Sequence, residues 1–227
     1  MEIVSVTLEG QHVRLEPLSP SHAESLIAAV CDGELWDSPF TVVPSRAAMT
    51  AYIEEALHGQ SLKDHLPFVI IRKASGDAVG HSAVARASAR APDTHPKHET
   101  DEVVGTTRFY DIRPDDRRVA IGYTWLGRSA QRTPVNTESK LLLLTHAFEH
   151  WRCNRVEFIT DVLNQQSRAA ILRLGAKEEG ILRNHMIMRG GRIRDSAIFS
   201  IITSEWPEVR ARLAAKLAQS SGAVARP

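Results

Sequence analysis

The residues best placed to do chemistry lie between Gly122 and Trp151. Gly122-Tyr-Thr-Trp-Leu-Gly127 reads as a strand, Gln131-Arg-Thr-Pro-Val-Asn136-Thr-Glu138 as a loop, and the apolar-striped run from Lys140 to Trp151 as a helix. The first turn of such a helix carries backbone N–H groups without intrahelical partners, and the positive end of the helix dipole meets them there. A junction of this kind can hold a phosphate without a metal. A second junction begins at Asn164, with Ser167 one turn on. A carboxamide and a hydroxyl at this spacing form an ordinary capping pair, and they can also face a ligand.

Other chemistries are excluded by what the chain lacks. No G-x-S-x-G elbow occurs, and neither G-x-G-x-x-G nor G-x-x-x-x-G-K-[ST] is present, which argues against a serine hydrolase and a nucleotide-binding α/β protein. His81, His95 and His98 lack the spacing of a helical H-x-x-x-H pair and have no acidic ligand set, so no metal is expected. Cys31 and Cys153 stand far apart and are read as reduced thiols.

The elements that must position these groups follow from periodicity. Val13–Leu18 alternates as a half-buried strand, and Ser19-Pro20 opens a helix carrying Ala23, Leu26, Ile27 and Val30. Met49, Ile53 and Leu57 mark a second helix, and Pro67–Arg72 is a dense β-branched strand. Ala78-Val-Gly80 and Val103-Val-Gly105 compete as the start of the next strand. The second continues better, through Tyr110, so 82–102 is read as an inserted, mobile loop. Val119–Leu126 is a strand, Thr137–Trp151 a helix, Arg155–Thr160 a strand, and Asn164–Gly175 a capped helix. Gly180–Met188 and Arg192–Ile202 form a hairpin across Gly190-Gly191, and Trp206-Pro207 opens a last amphipathic helix.

This order predicts an α/β (α+β) fold: a mixed, mostly antiparallel sheet of six or seven strands flanked by helices. One domain is expected over 1–219, with a flexible tail at 220–227. The chain has 227 residues, 43% hydrophobic and 24% charged, with a net charge of +1. That balance gives no electrostatic case for nucleic acid or an anionic membrane. No apolar run reaches the ~20 residues that span a bilayer, and the acidic, alternating N-terminus is unlike a signal peptide. The expectation is a cytoplasmic protein.

From Val13 to about Leu217, the chain resembles the GNAT superfamily of N-acetyltransferases. It looks most like the branch containing the ribosomal-protein N-terminal acetyltransferases. The resemblance rests on Gly122-Tyr-Thr-Trp-Leu, Asn136-Thr-Glu-Ser-Lys140, Asn164-Gln-Gln-Ser167 with Leu174-Gly175, Gly180-Ile-Leu-Arg183 and Arg194-Asp195. It implies acetyl-CoA as co-substrate, no metal, and direct transfer of the acetyl group to a primary amine through a tetrahedral intermediate, with no covalent enzyme adduct. The backbone of Thr124, Trp125 and Leu126 would meet the pantetheine arm and thioester. The family's Gln/Arg-x-x-Gly/Ala-x-Gly/Ala loop corresponds to Gln131-Arg132-Thr133-Pro134-Val135-Asn136. Here Thr133 can cap, Val135, Asn136 and Thr137 can donate N–H groups, and Arg132 can add a charge-assisted phosphate contact.

Asn164 would lie against pantetheine or phosphate, with Ser167 near the thioester sulfur as proton donor. The tyrosine many members carry one turn further on is Ile171 here. For the base that deprotonates the amine, Glu157, His185 and Asp195 are candidates. The glutamate of some relatives is replaced by Met186, and Asp195 could equally pair with Arg194 or Arg183. The acceptor implied is a protein N-terminus or a small-molecule amine, and the protein a monomer or homodimer. The alternative is a non-catalytic acyl-CoA-binding module whose active site has degenerated.

Overall fold

The computed structural model describes residues 1–74, 101–188 and 190–223. The chain runs β1 (Leu8–Glu9), β2 (Val13–Pro17), α1 (Ala23–Cys31), α2 (Met49–Ser61), β3 (Leu66–Arg72), β4 (Glu102–Arg113) and β5 (Arg118–Leu126). It continues through α3 (Pro134–Thr145), a π-helical turn His146–His150, β6 (Arg155–Asp161), α4 (Gln165–Leu174), β7 (Lys177–Ile187), β8 (Ile193–Ile202) and α5 (Trp206–Ala223). The strands form one eight-stranded sheet in the order β1-β2-β3-β4-β5-β6-β8-β7. Among the described residues, only β5 and β6 pair in parallel. The strand beyond the expected seven is β1, whose two residues are too few to show alternation.

The sheet is covered on both faces, which explains the dense apolar run of β3. Leu66, Phe68 and Ile70 enter the larger core, which holds residues of α3, α4 and α5, while Val69 and Ile71 enter the smaller core under α1 and α2. A strand buried on both faces has no polar side to show. The turn between β1 and β2 is tied to α3 by Glu138. Its two carboxylate oxygens accept from the N–H groups of Gln11 (2.8 Å) and His12 (2.6 Å). A buried carboxylate is tolerated there because it satisfies turn donors that would otherwise lack partners.

Several boundaries differ from the sequence reading: α3 starts at Pro134 rather than Thr137, and β7 at Lys177 rather than Gly180. β4 already includes Glu102, while residues 82–100 of the proposed loop, with His81, lie outside the described residues. α5 runs on to Ala223, past the Ser220 at which a flexible tail was expected; residues 224–227 lie outside the description. Gly191 and Gly190 do turn the β7–β8 hairpin, both at positive φ.

Candidate active site

β5 and β6 pair only over Arg118↔Arg155, Val119↔Val156 and Ala120↔Glu157. Beyond Ala120, β5 leaves its neighbour, whereas β6 stays paired to β8 through Asp161. The β6-facing edge of residues 121–126 therefore has no strand partner, and unpaired backbone in a sheet interior calls for water or a ligand. A bulge sits in the same segment. Tyr123 has φ +49°, and the β4–β5 register shifts between Thr106 and Arg108. The extra residue flips the alternation: Val119 and Ile121 face the larger core, Trp125 faces the smaller one, and Leu126 returns to the larger.

The N-termini of α3 and α4 flank this gap. Thr133 caps α3, accepting from Val135 N–H (3.3 Å) and donating to the Ala130 carbonyl (2.7 Å), with Pro134 at the first helical position. Val135's donor is thus engaged, and the helical ladder begins at Thr137, so Asn136 N–H is the member of the expected trio left over. Gln131 closes the loop, its Nε2 donating to the Leu126 carbonyl at 2.9 Å. Arg132 is exposed at φ +60°. At α4, Asn164 is buried and its Oδ1 accepts from Ser167 N–H (3.0 Å), so the capping reading holds for its oxygen. Ile171 is buried in the larger core.

The segment Thr124–Leu126 offers the gap more backbone than side chain. Trp125 is packed in the smaller core. Thr124 turns its hydroxyl toward α3, where Lys140 Nζ donates to it (2.6 Å) and to Thr107 (3.2 Å). Lys140 is buried, and burial alone pushes its pKa down to about 7. It stands one turn before Leu144 on the buried stripe of α3, a signal the sequence offered but a lysine masks.

The β7–β8 ladder holds two of the expected bases, His185 and Asp195, while Glu157 lies on β6, and one reading needs correction. Asp195 forms neither of its proposed ion pairs; its Oδ1 accepts from Asn184 N–H (2.7 Å), anchoring a bulge where Asn184 has φ +52°. That bulge also interrupts the β7–β8 register between Leu182 and Met186, the stretch that carries His185. His185 Nδ1 lies 3.0 Å from the Ser196 hydroxyl, and Arg194 Nε donates to the same oxygen at 2.9 Å. If both ring and guanidinium donate, the oxygen's lone pairs are used and His185 Nε2 is left as an acceptor. Glu157 is held by Arg155 (2.8 Å).

A cluster that sequence reading missed lies on the α2 side of the bulge. Arg108 Nη1 is 3.3 Å from His65 Nδ1, and its guanidinium stacks 3.9 Å from the Tyr123 ring centre and 5.1 Å from that of Tyr52. Tyr110 packs edge-on to Tyr123 at 5.2 Å. Burial raises both phenol pKa values and lowers that of His65, with Arg108 adding to the latter. Arg108 and Tyr110, two apart on β4, share a face, but what meets them is set by long-range pairing. Among the described residues there is no group of three or more potential metal ligands, and no helix is long and apolar enough to cross a membrane.

A family model described as an acetyltransferase (GNAT) domain matches residues 12–177. The chain belongs to the GNAT acetyltransferases. The curated "Putative ribosomal N-acetyltransferase YdaF" of Bacillus subtilis (strain 168) is 30% identical over 102 residues, 45% of this chain and 55% of the relative. The chain thus matches about half the length of that relative. The crystal structure of a GCN5-related N-acetyltransferase from Brucella melitensis superposes with a TM-score of 0.72 at 29% identity, covering 96% of this chain and 86% of the other. Mycobacterium smegmatis RimJ in complex with CoA-disulfide shares the fold, with a TM-score of 0.67 at 20% identity over 94% and 93% of the two chains. Acetyl-CoA is the acetyl donor of this GNAT family, and acetyl transfer is the family's chemistry.

Proposed function

We propose that this GNAT enzyme acetylates a primary amine, on a protein N-terminus or a small molecule, by direct attack on the thioester of acetyl-CoA. The observation that carries the reading is the departure of β5 from β6 after Ala120, flanked by the starts of α3 and α4. The free edge of Thr124–Leu126 would pair with the pantetheine arm, and an N–H aimed at the thioester oxygen would stabilise the oxyanion. Asn136 N–H, Arg132 and the α3 dipole would hold the pyrophosphate. The amine adds to the thioester carbon to give a tetrahedral intermediate, whose collapse breaks the C–S bond; His185 Nε2 accepts the amine proton and Ser167 supplies one to the departing thiolate. Similarity to the Bacillus subtilis ribosomal N-acetyltransferase named above favours a protein amine.

Acetyl-CoA is expected to raise the melting temperature, adding about 2.7 kcal/mol at a hundredfold excess over Kd, while NAD and ATP do not. No shift with millimolar acetyl-CoA would overturn the donor assignment. Binding without amine-dependent CoA release would favour the non-catalytic module. Within the site, Asn164→Ala should weaken acetyl-CoA binding by about 1–2 kcal/mol, and Ser167→Ala should lower turnover with little change in donor affinity. Because Asn164 also caps α4, melting curves must accompany the kinetics. Full turnover in Ser167→Ala would assign thiolate protonation to solvent.

A further inference from the structure

Arg108 is 1% exposed and heads the fully buried side chains ranked by volume. A guanidinium cannot shed its charge, so burying one costs several kcal/mol unless a carboxylate pairs with it. No carboxylate lies within ion-pair distance among the described residues, and Nη2 has no hydrogen-bond partner. Its one side-chain acceptor is His65. That ring accepts through Nδ1 while Nε2 faces Asp64 at 3.3 Å, the arrangement of a neutral imidazole. Arg194 acts on Tyr110 and Tyr123 from the β8 side, adding a second cation, with Asp161 shared between it and Arg192; Glu55 and Asp64 face His65 and Tyr123 but form no ion pair with Arg108.

We infer that Arg108 is the anchor for a carboxylate carried by the acceptor amine. This rests on the acetyl-transfer reading above. Tyr123 covers the face of the guanidinium, but the in-plane edge at Nη2 is unused, and that edge is what a carboxylate takes. The half-buried Tyr110 and Tyr123 form the cover through which an acceptor would reach it. The anion is distinct from the donor's pyrophosphate, because Arg108 lies against Tyr52 of α2, on the sheet face opposite α3. The carboxylate can belong to a free amino acid or to an acidic side chain near a peptide's amino terminus.

The test compares kcat/KM for matched acceptors: free amino acids against their amides, and dipeptide amides with Asp against Asn in second place. The wild type should prefer one carboxylate arm at least tenfold, about 1.4 kcal/mol, and the preferred arm identifies the source. Arg108→Met should abolish that preference through KM, and Arg108→Lys should keep part of it. Without ligand, Arg108→Met should melt no lower than the wild type, because removing an unpaired buried charge relieves its desolvation cost. A wild type that acetylates amines without carboxylate preference, or a variant that keeps the preference, overturns the inference alone. So does a Met variant that melts well below the wild type while the preference is absent. Failure to bind acetyl-CoA would instead overturn the underlying functional reading.

Discussion

Lys140→Met is expected to stabilise the protein below neutral pH and to remove a rise in stability between about pH 7 and 10. The folded chain holds the Lys140 amine at a pKa of about 7, against 10.5 in its ordinary state. Across that window the unfolded chain binds the proton and the folded chain does not, so unfolding takes up a proton and stability climbs with pH. Below pH 7 both states are protonated, and the full cost of burying the ammonium remains. In the limit the difference reaches about 5 kcal/mol. Methionine matches the length of the stem, and the Thr107 and Thr124 hydroxyls keep each other at 2.8 Å. Above pH 9 to 10 other groups act in the opposite sense. Burial raises the pKa values of Cys153, Tyr110 and Tyr123, so their contribution is lost as pH rises. The informative quantity is therefore the difference in unfolding free energy between variant and wild type from pH 5 to 10. Parallel curves would show that Lys140 carries no buried penalty.

Lys140 also shows where reading a sequence stops. Local signals served well: Thr133-Pro134 starts α3, Asn164 caps α4, Gly175 ends it at φ +96°, and Gly190-Gly191 turns the hairpin. Each of these depends on neighbours a few residues away. The site's finer chemistry depends on distant partners. Arg108 meets His65 and Tyr52, Glu138 meets Gln11 and His12, and Lys140 meets Thr107, all through the pairing of distant strands or the packing of helices on the sheet. Bulges were hidden for a related reason. Nothing in Gly122-Tyr123-Thr124 marks the extra residue that turns Thr124 toward α3, and nothing around Asn184 shows that Asp195 will hold it. The resemblance points to Thr124–Leu126, the stretch where β5 leaves β6, but it says nothing of the bulge at Tyr123. The donors expected at Val135 and Thr137 were overcounted because capping and the helical ladder compete for the same groups.

The near-copies Ala78-Val-Gly80 and Val103-Val-Gly105 lead to the last prediction, since only the second lies in a described strand. Gly105 pairs with Leu126, and a Cβ there would stand 2.0 Å from the Trp125 carbonyl oxygen and 3.1 Å from the Leu126 Cα. Both neighbours are backbone, so no side chain can rotate away, and β4 and β5 would have to part. Gly105→Ala should cost upward of about 3 kcal/mol, lowering the melting temperature by roughly 6–12 °C for a chain of this size. The displaced backbone is that of Trp125 and Leu126, the free edge proposed to meet the thioester. Acetyl-CoA affinity should therefore fall together with stability, and saturating acetyl-CoA should recover less of the lost melting temperature than it adds to the wild type. A Gly105→Ala protein that melts within about 1 °C of the wild type and binds acetyl-CoA equally would show that β4 and β5 can separate freely. The gap beside β6 would then not be held by that close contact.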